Sequence, residues 1–459
     1  MITTVNPATG EELDHYEELD GAGIEARLDR ASRAFRSWRT SALPERTRVL
    51  TRLGELFTEC EEELALLATC EMGKPITQAR SEVRKCADLF AYLAEHGPAM
   101  LEAEEWSLSD GGRAEGRWLP LGPVLAVMPW NFPYWQVARF LGPTILAGNV
   151  GLLKHASLVQ GVAARLEELV EAAGAPTGVF QNLCITSRPV AGILGDDRIV
   201  AATLTGSEGA GRSVAEEAGK HLKKVVLELG GSDPFIVMPS ADLDQAVKDA
   251  VTARIQNAGQ SCICGKRTIV HADIYGAFAE RFVTAMKAIV PADPLDEKTE
   301  IGPLSSVSQR DTVLDQVEQA KAEGCTVLFG AEAIDRPGAW MTPGLLTDVE
   351  PGSITGSEEI FGPVGQLYRA ADRDEALRIA NAIPFGLGSA VWTRDPDEQE
   401  FFARGIEAGM TTFNAVNGSR IEAPFGGIKR SGHGRELSRF GLHEFMNLKT
   451  IIHPGETAQ

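Results

Sequence analysis

The sequence predicts an α/β protein whose parallel sheets are covered by helices on both faces. Between residues 123 and 227, short apolar segments alternate with amphipathic ones, which is the pattern of strand–helix–strand units. The same alternation returns from 234 to 415, after a Gly-Gly break. Because a chain of 459 residues holds about two to four domains, we expect two successive α/β domains.

The residues before 123 are predicted to be mostly helical. Apolar residues recur at helical spacing after residue 20, and Pro44 and a Gly-Lys-Pro break mark helix boundaries. Asp110-Gly111-Gly112 separates two tryptophan-bearing segments, which indicates a hairpin that leaves the first domain. The predicted elements are a strand and turn at 5–19, helices at 20–37, 44–70 and 75–96, and the hairpin at 99–121.

The elements of the two α/β regions follow from the same periodicity. In the first region, strands are predicted at 123–128, 150–154, 179–184, 199–204 and 223–227, and helices at 135–147, 158–173, 187–195 and 208–219. In the second, strands are predicted at 234–237, 267–271, about 325–329, 388–392 and 411–415, and helices at 241–257, 273–289, 306–323, 372–381 and 395–408. Residues 293–303 and 351–366 are predicted loops, and the tail at 445–456 is predicted to be an edge strand that can pair between subunits.

Composition and charge disfavour several classes of function. The net charge of −20, from 64 acidic and 44 basic residues, disfavours binding to nucleic acid or anionic membranes. The first residues lack the basic start and apolar core of a signal peptide, and apolar runs fall short of the ~18 residues that span a bilayer. Seven unpatterned cysteines predict neither a disulfide framework nor a zinc site, so we expect a cytoplasmic protein without a metal.

The candidate nucleophile is Cys262, in the stretch QNAGQSCICGKR at 256–267. This stretch is short and polar, so the sulfur can be accessible, and Gly259 allows the backbone to turn sharply. A thiol becomes an effective nucleophile when its pKa is lowered or when a base stands nearby. The alternative is a surface loop with an incidental cysteine.

Two further residues have the chemistry to assist a thiol. Asn131 lies between two prolines after the strand at 123–128, where its side-chain amide can donate to an oxyanion. The alternative is a rigid turn in which Asn131 caps the next helix. Glu228 ends an apolar strand, where burial raises the pKa of a carboxylate enough to make it a base near neutrality. The alternative is a solvent-facing glutamate.

Three other motifs suit a nucleotide. Lys154 follows a strand and can reach a ribose or phosphate, or it is a plain surface lysine. The turn at 205–211 opens a helix whose amides suit a pyrophosphate, although it lacks the GxGxxG fingerprint. Glu359 offers a carboxylate to a ribose, and Phe361 offers a ring to a nicotinamide; a plain loop is the alternative.

Taken together and in order, these motifs resemble the aldehyde dehydrogenase superfamily, and the resemblance runs from Asn6-Pro7-Ala8-Thr9-Gly10 to the PFGGIKRSG stretch at 424–432. The resemblance implies a doubly wound cofactor-binding domain at 1–98 and 122–228 and a catalytic α/β domain at 229–431. It also implies a small β bridging unit at 99–121 and 432–459. Family members are usually homodimers or homotetramers in which the tail strand pairs with a neighbouring subunit.

The resemblance also implies the role of each residue. Cys262 attacks an aldehyde to give a thiohemiacetal and, after hydride transfer, a thioester. The Asn131 amide and the Cys262 N–H form the oxyanion hole, and Glu228 activates the water that releases the acid. Lys154 contacts the adenine ribose, and Gly206 and Ser207 the pyrophosphate. The implied cofactor residues are Pro129, Trp130, Lys154, Ser157, Gly206, Ser207, Gly211, Leu229, Glu359 and Phe361.

Cofactor preference is predicted from Ser157. Members of the family that prefer NAD commonly carry Glu at this position, three residues after the lysine, where it binds the ribose hydroxyls and repels a 2′-phosphate. Ser157 removes that repulsion and adds a donor beside Lys154. We therefore predict NADP as the cofactor, with NAD left open.

Several stretches, such as PWNFPYWQVAR, resemble succinate-semialdehyde dehydrogenases. That resemblance implies that Arg139 binds the substrate carboxylate, while an internal salt bridge is the alternative for this residue. Gln256 stands where some members carry a second carboxylate-binding arginine, and Ser419 or Arg420 is expected to compensate for its absence. Trp135 is expected to line the substrate tunnel.

Cys264 follows the predicted nucleophile by two residues. In some semialdehyde dehydrogenases a cysteine at this spacing forms a reversible disulfide that blocks activity, and an inert thiol is the alternative. Three other functions remain open: a broad-specificity aliphatic or aromatic aldehyde dehydrogenase, a catalytically silent binding homologue, and a cysteine hydrolase. The hydrolase has no use for the nucleotide motifs, and the presence of all three catalytic residues argues against the silent homologue.

Overall fold

The computed structural model describes residues 1–455. The strands are β1 (Ile2–Val5), β2 (Glu12–Tyr16), β3 (Glu104–Ser107), β4 (Arg113–Pro120), β5 (Pro123–Met128), β6 (Val150–His155), β7 (Phe180–Asn182), β8 (Ala201–Thr205), β9 (Lys224–Glu228), β10 (Asp233–Val237), β11 (Gly265–His271), β12 (Thr326–Gly330), β13 (Gly344–Thr347), β14 (Val364–Ala370), β15 (Phe385–Gly386), β16 (Ala390–Trp392), β17 (Thr412–Phe413), β18 (Ile428–Lys429), β19 (Gly432–His433) and β20 (Met446–His453). The helices are α1 (Gly21–Trp38), α2 (Leu43–Glu59), α3 (Glu61–Met72), α4 (Ile76–Met100), α5 (Trp135–Ala147), α6 (Gln160–Ala172), α7 (Val190–Gly195), α8 (Glu208–Lys220), α9 (Leu243–Ile255), α10 (Ala272–Lys287), α11 (Val307–Ala322), α12 (Ile354–Ser357), α13 (Arg373–Asn381), α14 (Pro396–Gly405) and α15 (Ser438–His443). Short 3-10 turns at Ser157–Val159 and Gln256–Gly259 precede α6 and follow α9.

The first large sheet has six strands in the order β19-β9-β8-β5-β6-β7. Strand β5 pairs in parallel with β6 on one side and with β8 on the other, so the direction of winding reverses at β5. A sheet of this kind binds ligands in the crevice at the carboxyl ends of the strands beside the reversal. Pro129 follows β5 and Gly206 follows β8, so both stand at that crevice.

The second large sheet has seven strands in the order β12-β13-β14-β11-β10-β16-β17 and a hydrophobic core of its own. Strand β12 is antiparallel to β13, and the other pairs are parallel. The loop from α9 to β11 leaves this sheet, and its Cys262 packs against the core of the first sheet. Cys262 therefore stands between the two sheets.

A third sheet joins the hairpin to the tail, in the order β20-β4-β3. The predicted tail strand is confirmed as an edge strand, paired with β4 from Met446 to His453; residues 456–459 lie outside the described part of the chain. Within the segment from residue 432 that is predicted to belong to the bridging unit, β19 pairs with β9 of the first sheet. Leu442 and Phe445, in α15 and just after it, are buried in the core of that sheet, and β20 then joins the hairpin.

The α/β fold is confirmed, and two local predictions are wrong. The helix predicted at 44–70 is divided at Cys60, because three glutamates open a new helix whose N-terminus favours negative charge. Strand β14 was not predicted, because Pro and Gly around residues 351–366 conceal a strand that a parallel sheet buries on both faces. The four-residue strand β13, before that segment, was not predicted either. Among the described helices, none is long and apolar enough to cross a membrane.

Candidate active site

Cys262 lies where two cavities meet. The strand-end cavity, of about 280 Å³, is lined by residues at the carboxyl ends of β5, β8 and β9. The helix-side cavity, of about 270 Å³, is lined by residues of α4 and α5 and by the loop at 417–419. Cys262 and Gln136 line both cavities, so ligands in either one can meet the same thiol.

The loop before Cys262 has an unusual backbone. Asn257, Ala258 and Gly259 all have positive φ angles, of 52°, 54° and 75°. A side chain at Gly259 would collide with the carbonyl of Gly362, so only glycine fits there. Strain of this kind is stored where the surrounding structure holds it, and here it turns the chain toward the junction of the two cavities.

Lys266 holds the same loop from the other side. Its buried Nζ donates to the carbonyl oxygens of Ser261 and Cys262, at 2.8 Å each, and lies 3.0 Å from Oε1 of Glu359. Lys266 was not among the residues predicted for the site. A lysine at the start of an apolar strand is the signal that was available, because lysine is almost never fully buried without a partner.

The thiol of Cys262 is half-buried and free. Burial raises its pKa to about 12, and the positive charges of Arg139 and Lys266 only partly oppose this rise. The resting sulfur is therefore protonated near neutral pH. A base is needed before it can attack a carbonyl.

Asn131 is buried beside the nucleophile loop. Its Nδ2 donates to the carbonyl of Gln260 at 3.1 Å, and Asn257 Nδ2 donates to the Asn131 carbonyl at 2.7 Å. Asn131 does not cap the next helix, which was the alternative. The amides of Tyr134 and Trp135 at the start of that helix instead donate to Glu82 Oε1, at 2.9 Å each. Asn131 is thus held against the nucleophile loop, on the side of the strand-end cavity.

Glu228 ends β9 and is buried rather than solvent-facing. Neither carboxylate oxygen has a hydrogen-bond partner within residues 1–455. Burial raises the pKa of this carboxyl well above its usual value, and the nearby Glu436 raises it further, while Arg139 and Arg435 oppose the shift. Such a group, once ionised, is a strong base.

The strand-end cavity has the features that suit a nucleotide. Gly206 and Ser207 stand at the N-terminus of α8, where Ser207 Oγ accepts from Ala210 at 3.3 Å. The rings of Trp130 and Phe361 meet edge to face, with centroids 5.8 Å apart. The predicted residues that line this cavity are Pro129, Trp130, Asn131, Gly206, Ser207, Glu228, Leu229, Cys262, Glu359 and Phe361.

Three predicted cofactor residues lie beyond the lining of this cavity. Gly211 is in α8, where a Cβ atom would approach Leu229 to 2.6 Å, so this glycine serves close packing of the helix on β9. Lys154 and Ser157 lie at the carboxyl end of β6, next to β5. Lys154 is half-buried, and burial lowers its pKa.

The helix-side cavity collects Trp135, Arg139 and Ser419, as predicted for a substrate tunnel. Arg139, however, forms a buried ion pair with Glu436, with Nε and Oε2 2.8 Å apart, and also donates to Gln136. The internal salt bridge, which was the alternative for Arg139, is therefore present. Glu436 was not predicted as the partner of Arg139, since 297 positions separate the two residues.

Cys264 is buried two residues after the nucleophile. Its sulfur lies 3.8 Å from the carbonyl oxygen of Gln256, and all seven cysteines are free. In this arrangement Cys264 is a protected thiol beside the more accessible Cys262. Pairing of the two sulfurs requires the nucleophile loop to move.

Comparisons with known proteins agree over the whole chain. The profile of the Aldehyde dehydrogenase family matches residues 1–451. Succinate-semialdehyde dehydrogenase [NADP(+)] 1 of Mycobacterium tuberculosis is 48% identical over 452 residues, which cover 98% of this chain and 99% of that protein. Succinate-semialdehyde dehydrogenase [NADP(+)] of Mycolicibacterium paratuberculosis is 49% identical, with 98% and 96% covered.

Solved structures show the same likeness. The succinic semialdehyde dehydrogenase of Streptococcus pyogenes, in complex with NADP+, superposes with a TM-score of 0.97 at 38% identity. The match covers 99% of this chain and 100% of that one. Gox0499, from a study of cofactor and substrate selection, has a TM-score of 0.96 at 39% identity, with 98% and 99% covered.

Proposed function

Because this chain belongs to the aldehyde dehydrogenase family, we propose that it oxidises succinate semialdehyde to succinate, with Cys262 as nucleophile and NADP as cofactor. The observation that carries this proposal is the position of Cys262 between a cavity that suits a nucleotide and a cavity whose lining includes basic side chains. The names of the relatives that are 48–49% identical support the substrate and the cofactor.

The residues of the strand-end cavity fit a nicotinamide nucleotide. Amides at the N-terminus of α8 suit a pyrophosphate, and Thr205 Oγ1 is a buried polar atom of this cavity without a partner in the described chain. Glu359 and Phe361 would hold the nicotinamide end, and Lys154 and Ser157 the adenosine end. When bound, NADP supplies the acceptor for a hydride. Ser157 carries no charge that would repel a 2′-phosphate.

In the first half of the reaction, Cys262 must lose its proton and attack. We assign proton acceptance to the carboxylate of Glu228, whose oxygens have no other partner within residues 1–455. The sulfur then bonds to the aldehyde carbon and gives a thiohemiacetal. Gln260 takes one hydrogen of the Asn131 amide, and the other is left to donate to the new oxyanion together with the Cys262 N–H.

In the second half, the thiohemiacetal carbon gives up its hydride and becomes a thioester on Cys262. Glu228 first passes the Cys262 proton to solvent and then, as a carboxylate again, takes a proton from water. The resulting hydroxide attacks the thioester carbonyl. The C–S bond breaks, Cys262 leaves as a thiolate, and the carboxylic acid is released. Lys266 holds the two loop carbonyls throughout, so that the sulfur returns to the same place.

The test is the rate of nucleotide reduction, followed by absorbance. Succinate semialdehyde is compared with butanal, a neutral aldehyde of the same length, and NADP⁺ with NAD⁺. We expect the highest kcat/KM for the semialdehyde with NADP⁺. Equal values for the two aldehydes would favour the broad-specificity alternative, and a preference for NAD⁺ would remove the Ser157 argument.

We also propose that the enzyme works in the cytoplasm as a homodimer or homotetramer. The outer edge of β20 is available in the chain described and supports pairing with a second subunit. Light scattering of the purified protein measures the subunit number. A monomer at micromolar concentration would contradict the proposal.

The predicted redox partnership of Cys262 and Cys264 is part of the same proposal. We expect peroxide to abolish activity and a thiol reductant to restore it, because a disulfide protects the nucleophile from irreversible oxidation. In Cys264→Ala, activity lost to peroxide is expected to stay lost. Recovery in that variant equal to the wild type would contradict the partnership.

A further inference from the structure

The helix-side cavity contains a lysine whose charge has no counter-ion. The charged residues that line this cavity are Glu82, Lys85 and Arg139. Glu82 pairs with the buried Lys74, and Arg139 pairs with Glu436. Within residues 1–455, Lys85 is thus left as the one charge of the cavity wall without an opposite partner.

Lys85 is nevertheless held in place. Its Nζ donates to Ser419 Oγ at 2.7 Å and to the Ser419 carbonyl at 2.8 Å, and it lies 4.4 Å from the centre of the Trp135 ring. These contacts join α4, α5 and the loop at 417–419 around a single ammonium group. An ammonium group has three hydrogens, so one remains for a ligand.

Burial lowers the pKa of Lys85 to about 8, and the positive charges of Arg139 and Arg420 contribute to the decrease. A group in this position gains from an anion, because a negative charge nearby favours the charged ammonium. Ser419 strengthens the same site. Its Oγ accepts from Lys85, which leaves the hydroxyl hydrogen free to donate in the same direction.

We propose that Lys85 is the specificity-determining residue that binds the carboxylate of a semialdehyde substrate, with Ser419 as a second donor. This inference rests on the proposed function and assigns its substrate anchor to a residue other than Arg139. The guanidinium of Arg139 is engaged by Glu436 and Gln136, so its role is to position Glu436 near Glu228. A semialdehyde then bridges from Lys85 at one end to Cys262 at the other, since both line the cavity.

The test uses two variants of α4 in the full-length enzyme. Lys85→Met removes the charge and keeps the length of the side chain. Arg84→Met is the matched control, because it removes the neighbouring positive charge, which is exposed and pairs with Glu61. For each protein, kcat/KM is measured with succinate semialdehyde and with butanal.

We expect Lys85→Met to lower kcat/KM for succinate semialdehyde by about 10- to 100-fold, the effect of losing a charged hydrogen bond in a partly buried site. Most of the loss is expected in KM. Activity with butanal is expected to stay within about threefold, since butanal has no group for the lysine to bind. Lys85→Arg is expected to keep a preference for the semialdehyde. Equal losses with both aldehydes, or no loss with either, would overturn the proposal.

Inhibition by succinate during butanal oxidation separates this inference from the proposed substrate. Succinate is expected to bind about tenfold more weakly to Lys85→Met than to the wild type and to Arg84→Met. If the wild type does not prefer the semialdehyde, the proposed substrate fails, and the succinate comparison still decides whether Lys85 binds a carboxylate. Identical inhibition constants in all three proteins would overturn the role of Lys85.

Discussion

The two cavities that meet at Cys262 are built in different ways. The strand-end cavity is lined mainly by the segments that follow β5, β8 and β9, and α11 and the loop that bears Glu359 and Phe361 complete it. The helix-side cavity is made by long side chains from α4, α5 and a distant loop. A site built from strand ends can be predicted from local motifs. A site built from side chains depends on pairings that only the folded chain brings together.

Asn131 lines the strand-end cavity and holds the nucleophile loop, and its amide is the proposed oxyanion donor, so its loss is the largest effect we predict. Asn131→Ala removes a donor to the oxyanion, which typically costs about 2.7–4 kcal/mol of transition-state stabilisation, or about 10²–10³ in kcat. The decrease is expected to be the same for succinate semialdehyde and butanal. Steady-state kinetics with both aldehydes measure it.

The control for Asn131 is binding of the nucleotide. Its dissociation constant, from fluorescence titration, is expected to change by less than about threefold, because the amide acts on the reacting oxygen. A loss of activity with only one of the two aldehydes would contradict the role of Asn131 as a donor to the oxyanion.

Replacing Arg139 tests whether a buried ion pair between side chains stabilises the helix-side cavity. Arg139→Met leaves Glu436 buried without its partner, and breaking such a pair costs about 3–5 kcal/mol of folding free energy. The free energy of unfolding, from urea titration, measures this loss. The double variant Arg139→Met with Glu436→Leu is expected to recover most of it, because neither charge remains buried.

If Arg139 instead binds the substrate and contributes little to folding, a different result follows. Arg139→Met would then unfold at the same urea concentration as the wild type and lose kcat/KM only for the semialdehyde. That pattern would contradict the role of Arg139 in a stabilising ion pair. It would indicate that Arg139 binds the substrate carboxylate.

Replacing Ser157 tests only the nucleotide side of the site, and it has the smallest effect that we predict. Ser157→Glu places a negative charge beside the expected 2′-phosphate, and we expect kcat/KM for NADP⁺ to fall by about 10- to 100-fold. Activity with NAD⁺ is expected to change little. The KM for succinate semialdehyde serves as the internal control, since the aldehyde is proposed to bind in the helix-side cavity, away from Ser157.

An unchanged ratio of NADP⁺ to NAD⁺ use in Ser157→Glu would place the 2′-phosphate elsewhere. Ser157→Ala is the matched variant without a new charge. It is expected to keep the preference for NADP⁺ with a modest loss, so that the effect of Ser157→Glu can be ascribed to charge.

The difference between the cavities also explains what the sequence could predict. The five parallel strands of the first sheet, β5 to β9, were predicted within about two residues, because each is a short apolar segment between turns. The two-residue strand β19 was not predicted. Gly206 and Glu228 were placed at strand ends by the same pattern. Lys85, Lys266 and Glu436 were missed as partners, because their importance comes from contacts with residues that are distant in the sequence.

The prediction of secondary structure failed where local sequence signals conflict with the tertiary contacts of the folded chain. Strand β14 pairs on both sides, with β11 and β13, although the segment before it contains a helical turn and a Gly-Pro step. The break at Cys60 lies within a continuous helical pattern. In both places the fold is decided by neighbours that a local pattern does not include.

The most direct test of the central claim is to trap the acyl enzyme. Glu228→Gln lacks the base that activates water, and it acylates slowly because the Cys262 proton must pass to solvent. It is incubated with succinate semialdehyde and NADP⁺ until NADPH formation reaches a plateau, and is then quenched in acid. Peptide mass spectrometry is then expected to find one succinyl group on Cys262 for each NADPH formed. NADPH formation without an acyl group on Cys262, or with the group on Cys264, would contradict the account.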